Sequence, residues 1–90
     1  MPQIRFTPHL TRFFPELAPT QLDAQSVAQL VRVLDEMHPG IAAYLVDERG
    51  ALRPHVNIFV DEQMVADRLQ LSDPLDENSQ VFILQALSGG

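Results

Sequence analysis

A chain of 90 residues with 46% hydrophobic content, no cysteine and a formal net charge of −6 has room for one small core and little else. At this length roughly 60–65% of the unfolded surface is buried on folding, so stability is slender and a deep catalytic cleft is not expected. The missing cysteines exclude a disulfide framework, a thiolate zinc site, an iron–sulfur cluster and a cysteine nucleophile.

All six cations are arginine (Arg5, Arg12, Arg32, Arg49, Arg53 and Arg68), set against twelve acidic residues and no lysine. Binding to phosphates rests on clustered Lys and Arg that release counterions, so this balance argues against nucleic acid and for a basic protein partner. His9, His38 and His55 are scattered without the short spacings that bring two imidazoles onto one metal, and no metal site is expected. The acidic neighbours Asp35-Glu36, Asp47-Glu48, Asp61-Glu62 and Asp76-Glu77 read as solvated turns, because adjacent carboxylates point to different sides and none has an EF-hand spacing. The N-terminal residues lack the apolar core of a signal peptide, and the longest apolar run, Ile41 to Val46, is far short of a membrane span. A cytoplasmic protein without membrane contact is the expectation.

In chain order, Ile4-Arg5-Phe6-Thr7 alternates with period two and predicts a first strand that stops at Pro8. His9 to Pro19 carries two further prolines and the pair Phe13-Phe14, and reads as a loop or irregular edge whose aromatics pack onto the sheet. Thr20 to Asp23 is a short second strand. Ser26 and Gln29 then form the S-x-x-Q capping box of a helix, with Val27, Leu30, Val31, Leu34 and Met37 on one stripe. Gln29, Arg32 and Asp35 occupy the opposite side, and Pro39-Gly40 ends the helix, Gly40 serving as a left-handed C′ residue. About twelve helical residues give a rod of roughly 18 Å, enough to cross one face of a small sheet.

Ile41 to Val46 forms a short helix or turn, followed by the polar turn Asp47-Glu48-Arg49-Gly50 with Gly50 at positive φ. Val56, Ile58 and Val60 alternate with Asn57, Phe59 and Asp61, a strand with one buried face. Asp61-Glu62-Gln63 reverses the chain, Met64-Val65 returns as a short strand, and Leu71 to Leu75 is a connecting loop. Asp76-Glu77-Asn78-Ser79 is a tight turn with Asn78 as its left-handed residue.

Val81 to Leu87 is the last strand, apolar on both parities at its start and therefore central. With one good helix, only one face is covered. If Val81 and Ile83 face that helix, Phe82 and Leu84 face the other way, joined by Phe59, and an uncovered apolar patch of this kind marks a partner surface. The alternative is that the Phe13-Phe14 loop folds over it. Strand, strand, helix, strand, short strand, strand is an α+β arrangement, the β-grasp: a mixed sheet of four to five strands with one main helix across one face.

The chain closes on Ser88-Gly89-Gly90 directly after this strand. At an average glycine usage of about 7%, two such glycines arise by chance in roughly one sequence in two hundred. Lacking Cβ, they can lie extended in a narrow channel and present an α-carboxylate; a frayed end is the alternative. The expected organisation is a β-grasp domain over residues 1–87 and a flexible tail over 88–90.

Val56-Asn57-Ile58-Phe59-Val60-Asp61 is similar to the V-N-[VI]-[FY]-V-N strand of the ubiquitin-like sulfur carriers. Ser79-Gln80-Val81-Phe82-Ile83-Leu84 with Ser88-Gly89-Gly90 resembles their closing strand and di-glycine tail. The family includes the small subunit of molybdopterin synthase (MoaD), the thiamin sulfur carrier (ThiS) and a carrier used in cysteine synthesis. The chain departs from the pattern in Asp76-Glu77-Asn78, where the family has D-G-D/E, and in Gln85, where a proline is common. The long connection from Ile41 to Pro54 looks more like the molybdopterin and cysteine types than the thiamin type.

The resemblance implies a non-catalytic protein that is acted upon. Its Gly90 carboxylate is adenylated by an ATP-dependent activating enzyme and converted to a thiocarboxylate that donates sulfur to a synthase. It binds no cofactor itself; ATP and Mg²⁺ belong to the activating partner. Phe59, Phe82 and Leu84 are the candidate docking residues, and the acidic surface steers the domain toward a basic cleft. Two further readings of the same sequence are a ubiquitin-like modifier conjugated through Gly90 and a plain interaction module.

Overall fold

The computed structural model describes residues 1–85. Five strands form one sheet: β1 (Gln3–Phe6), β2 (Thr20–Gln21), β3 (Val56–Val60), β4 (Gln63–Met64) and β5 (Gln80–Gln85). Their spatial order is β2-β1-β5-β3-β4, with β1 and β5 parallel and the other neighbours antiparallel. Three helices accompany them: α1 (Pro8–Phe13), α2 (Val27–Met37) and α3 (Ile41–Leu45). This is the mixed β-grasp sheet expected, with α2 as its main helix. The end of the last strand, expected at Leu87, and the boundary between domain and tail lie outside the described residues.

α2 forms where the capping signal and the apolar stripe place it. Its first three N–H groups have no intrahelical acceptor, and each finds one nearby. Val27 N donates to Asp73 O (3.0 Å), Ala28 N to Leu71 O (2.8 Å) and Gln29 N to Ser26 Oγ (3.1 Å). The return half of the capping box is displaced by one residue, since Gln29 Oε1 accepts from Gln25 N rather than from Ser26 N. Val27, Leu30, Val31 and Leu34 are buried with Ile4, Val56, Ile58, Val81 and Ile83.

Met37, expected on the same stripe, is 49% exposed. It stands in the last turn of α2 and lines a shallow groove with Phe13, Phe14 and His38. The C-cap is His38, and Gly40 (φ 102°) is the N-cap of α3 rather than the C′ residue of α2. Asp35 Oδ1 accepts from Gly40 N (3.1 Å) and Ala42 N (3.0 Å), so the end of α2 caps the start of α3.

The stretch after Pro8, expected as a loop, begins as α1. Pro8 sits in the first turn, where its missing N–H removes no hydrogen bond and its fixed φ suits the helix. Thr11 Oγ1 donates to Pro8 O at 2.6 Å. Leu10 is fully buried, while the rings of Phe13 and Phe14 meet Tyr44 of α3, with centroids 5.3 and 6.0 Å away. Among the described residues no helix is long and apolar enough to cross a membrane.

Residues 65–75 have no regular structure yet supply Val65, Leu71 and Leu75 to the core. Two carboxylates organise them. Asp67 accepts from Leu69 N, Gln70 N, Ser72 N and Ser72 Oγ, and Asp73 accepts from Ala66 N and Asp67 N, both at 2.9 Å. Leu71 adopts φ 54°, which aims its carbonyl at α2 while its side chain stays buried. Asn78, expected to be left-handed, is not; its N–H donates to Asp76 Oδ1 (2.8 Å), and this Asx turn reverses the chain without positive φ. Gly50 has φ 87°, as expected for its turn.

Two outcomes follow for stability. Leu34→Ala should cost about 3 kcal/mol and Met37→Ala under about 0.5 kcal/mol in urea unfolding, because only the former leaves a cavity. Hydrogen bonds from Ser72 Oγ and then from backbone N–H groups hold the Asp67 carboxyl below its ordinary value of 3.8, and donors at Arg49 and Ala51 do the same for Asp47. Carboxyls depressed on folding stabilise above their unfolded value and lose that contribution as pH falls through the folded one. The melting temperature should therefore drop below about pH 4, and Asp67→Asn should flatten that drop.

Candidate functional site

Register and alternation together build the face opposite α2. Arg5 lies opposite Phe82, Phe82 opposite Phe59, and Phe59 opposite Met64, so one row crosses β1, β5, β3 and β4. Leu84 lies opposite Asn57 in the next row along this face. Because side chains alternate, burying Val81, Ile83, Val56 and Ile58 under α2 sends Phe82, Leu84, Asn57 and Phe59 to the other side. Phe59, Phe82 and Leu84 are half-buried and line one open groove with Arg5, Glu62 and Gln80. The structure thus brings the three docking candidates together on a single surface.

Phe13 and Phe14 do not cover this groove. Their rings pack on Tyr44 instead, which leaves the sheet face open among the described residues.

The sequence reading missed Arg5, Glu62, Gln80 and Met64. Arg5 is held with its guanidinium carbon 5.9 Å from the centroid of the Phe82 ring, a cation–π contact that depends on the β1–β5 register. The signal available in the sequence was the period of β1 itself, since Arg5 is the outward residue between buried Ile4 and half-buried Phe6. Glu62 reaches the rim because Asp61 (φ 50°) and Glu62 (φ 71°) form the two-residue turn between Val60 and Gln63. Two successive positive φ values match the twist of a tight hairpin. Asp61 also ties this turn to β5, its N–H donating to Gln80 O (2.8 Å) and its Oδ1 accepting from Gln80 N (2.9 Å).

The outer edge of β3 is closed off beyond β4. Val65 N donates to Ile58 O (2.9 Å), and Arg68 donates to Val56 O (3.0 Å), Arg53 O (2.9 Å) and Asn57 Oδ1 (2.7 Å). A charged head on those carbonyls blunts this edge against pairing with another strand.

Chemically the groove presents two aromatic rings, one leucine, one guanidinium and one carboxylate, a set suited to docking a protein surface. Among the described residues no three His, Asp or Glu side chains gather to hold a metal ion. Ser88, Gly89 and Gly90, the expected tail and modification site, lie outside the described residues. The strand that leads to them is β5, paired on both edges.

The family model described as the ThiS family matches residues 11–90. The chain belongs to the ThiS family. This is one of the ubiquitin-like carriers that the strand and tail motifs resemble. No curated protein matches the sequence closely. Among solved structures, the chain is similar to one from Amycolatopsis orientalis determined as a BexX/CysO complex (TM-score 0.84, 20% identity, all of both chains covered). Similar too is CysO from Mycobacterium tuberculosis (TM-score 0.83, 20% identity, 97% of this chain and 100% of that one). Small archaeal modifier protein 1 from H. volcanii also superposes (TM-score 0.73, 14% identity, 96% and 97% covered). At these identities the likeness establishes the shared fold of this ThiS-family member.

The two faces of β5 predict opposite mutational costs. Phe82→Ser should cost about 1 kcal/mol, whereas Ile83→Ser, which leaves a cavity and buries a hydroxyl, should cost about 4 kcal/mol or more. Urea titration of the two variants, one residue apart, checks the assignment of faces.

Proposed function

We propose that this ThiS-family chain is a sulfur carrier whose Gly90 carboxylate is adenylated and then thiocarboxylated by a partner enzyme. The observation that carries the reading is the family match across residues 11–90, which takes in β3, β5 and Ser88-Gly89-Gly90. The open groove of Phe59, Phe82 and Leu84 on the same strand pair supports it, since a carrier needs a surface that its enzyme can grip.

A carboxylate is a poor electrophile until its oxygen becomes part of a good leaving group. The Gly90 carboxylate attacks the α-phosphorus of ATP and pyrophosphate departs; a sulfur nucleophile then attacks the acyl carbon and AMP departs. ATP, Mg²⁺ and the sulfur source are the partner's. This domain contributes the acyl group and the docking face. Its charge of −6 favours encounter with a basic cleft, and the consumer of the thiocarboxylate is a synthase of molybdopterin or cysteine type.

A ubiquitin-like modifier joined to target lysines through Gly90 is the second reading, favoured by the structural likeness to the small archaeal modifier protein. The third is an interaction module with an inert terminus.

Intact mass spectrometry of the protein from its native host separates the three. A carrier gains about 16 Da on replacing oxygen by sulfur, a modifier appears as a high-mass isopeptide adduct, and unmodified mass under all growth conditions leaves the module. Deleting Gly90 should abolish adenylation without lowering the melting temperature. A truncated protein that still supports pyrophosphate exchange would overturn the carrier reading.

A further inference from the structure

At Gln85, β5 makes a set of contacts that neither the core nor the groove requires. β1 stops at Phe6, and the next residue but one is Pro8, which has no N–H with which to carry the parallel ladder further. Thr7 extends the ladder with both of its remaining groups. Its N–H donates to Ile83 O (3.1 Å), and its Oγ1 accepts from Gln85 N (3.3 Å). On its other edge, Gln85 lies opposite Val56 of β3.

The Gln85 side chain is held as well. Its Nε2 donates to the Tyr44 hydroxyl at 2.8 Å, joining the end of β5 to α3. A hydroxyl both donates and accepts, so the contact survives either orientation of the amide. Tyr44 in turn is packed by the rings of Phe13 in α1 and of Phe14, its C-cap residue. Among the described residues Gln85 Oε1 is buried without a hydrogen-bond partner. A glutamine free to choose would turn that oxygen to water, so its place is set by the bond to Tyr44.

The last described residue is tied through its backbone to the N-cap residue of α1 and through its side chain to α3. We infer that Thr7, Tyr44 and Gln85 form a clamp that fixes the place and direction from which the chain runs on toward Gly90. The three are positioning residues for the adenylation proposed above. None touches the reacting carboxylate, and each acts by narrowing the tail's approach to the partner's active site. This consequence for adenylation rests on the carrier reading; the clamp itself does not.

Three conservative variants of the full chain test it. Tyr44→Phe keeps the ring against Phe13 and Phe14 and removes the hydroxyl. Gln85→Met keeps the length of the side chain and removes its hydrogen bonds. Thr7→Val keeps the shape and removes Oγ1. In nitrogen-15 NMR, Thr7→Val should speed hydrogen exchange at the Gln85 backbone amide about tenfold, and Tyr44→Phe should do the same for the Gln85 side-chain amide. With the adenylating enzyme that acts on the wild type, Tyr44→Phe and Gln85→Met should each raise KM or lower kcat about threefold to tenfold. The double variant should match either single one, because both remove the same bond.

Unchanged exchange at both amides in folded variants overturns the clamp. Altered exchange with unchanged adenylation kinetics overturns its role in positioning, as does a double variant whose effect is the product of the singles. If the wild-type protein is not adenylated at all, the carrier reading fails, while the exchange measurements still decide the clamp.

Discussion

With β1 hydrogen-bonded along one edge of β5 and β3 along the other, Val81 and Ile83 are driven under α2, and Phe82 and Leu84 are left on the opposite face. Two consequences of β-structure thereby become one. The alternation that builds the core also builds the open groove of Phe59, Phe82 and Leu84, and neither can be altered in register without the other. Because the sheet has helices on one side only, the apolar character of the central strand is spent half on stability and half on a surface.

The rest of the fold keeps that strand flat and central. Asp61 ties the β3–β4 turn to Gln80 at the start of β5, and Thr7 and Tyr44 hold Gln85 at its end. Arg68 donates to the Val56 carbonyl at the start of β3 and to the Arg53 carbonyl before it, and the loop at 65–75 caps α2 with the carbonyls of Leu71 and Asp73. An irregular segment of that length would ordinarily leave backbone groups unpaired. Here Asp67 and Asp73 gather its N–H groups, so a loop without helix or strand is still an internal part of the structure. The acidic excess therefore has a structural use: Asp35, Asp47, Asp61, Asp67, Asp73 and Asp76 bind backbone N–H groups locally.

Where local chemistry decides structure, the sequence was legible. The apolar stripe from Val27 to Leu34 gave α2, the period-two run at Val56 gave β3, and the doubly apolar Val81-Phe82-Ile83-Leu84 gave a central strand with one uncovered face. The shared face of Phe59, Phe82 and Leu84 followed from parity alone. What stayed hidden depends on contacts distant in sequence. Met37 matches the stripe by spacing, but in the last turn of α2 it lines a groove with Phe13 and Phe14 and stays half exposed. Arg5 joins the groove only through register with Phe82, and the clamp on Gln85 needs residues from β1's end and α3. Prolines misled at Pro8, where a residue usually disruptive to regular structure opens a helix. Asn78 misled in the opposite way, since a neighbouring aspartate achieved the turn that its own backbone conformation was expected to make.

The parallel pairing of β1 with β5 joins the two ends of the chain, and the clamp contact between Thr7 and Gln85 spans 78 residues. Contacts of such range form late, after most of the chain's entropy has been surrendered. On the ribosome, the sheet cannot close until β5 has emerged, and the residues that follow β5 emerge after it. A prematurely terminated chain lacks its central strand and so lacks the groove. Incomplete products would consequently lack the surface on which Phe59 and Phe82 meet, which makes completion of synthesis a condition for building that face.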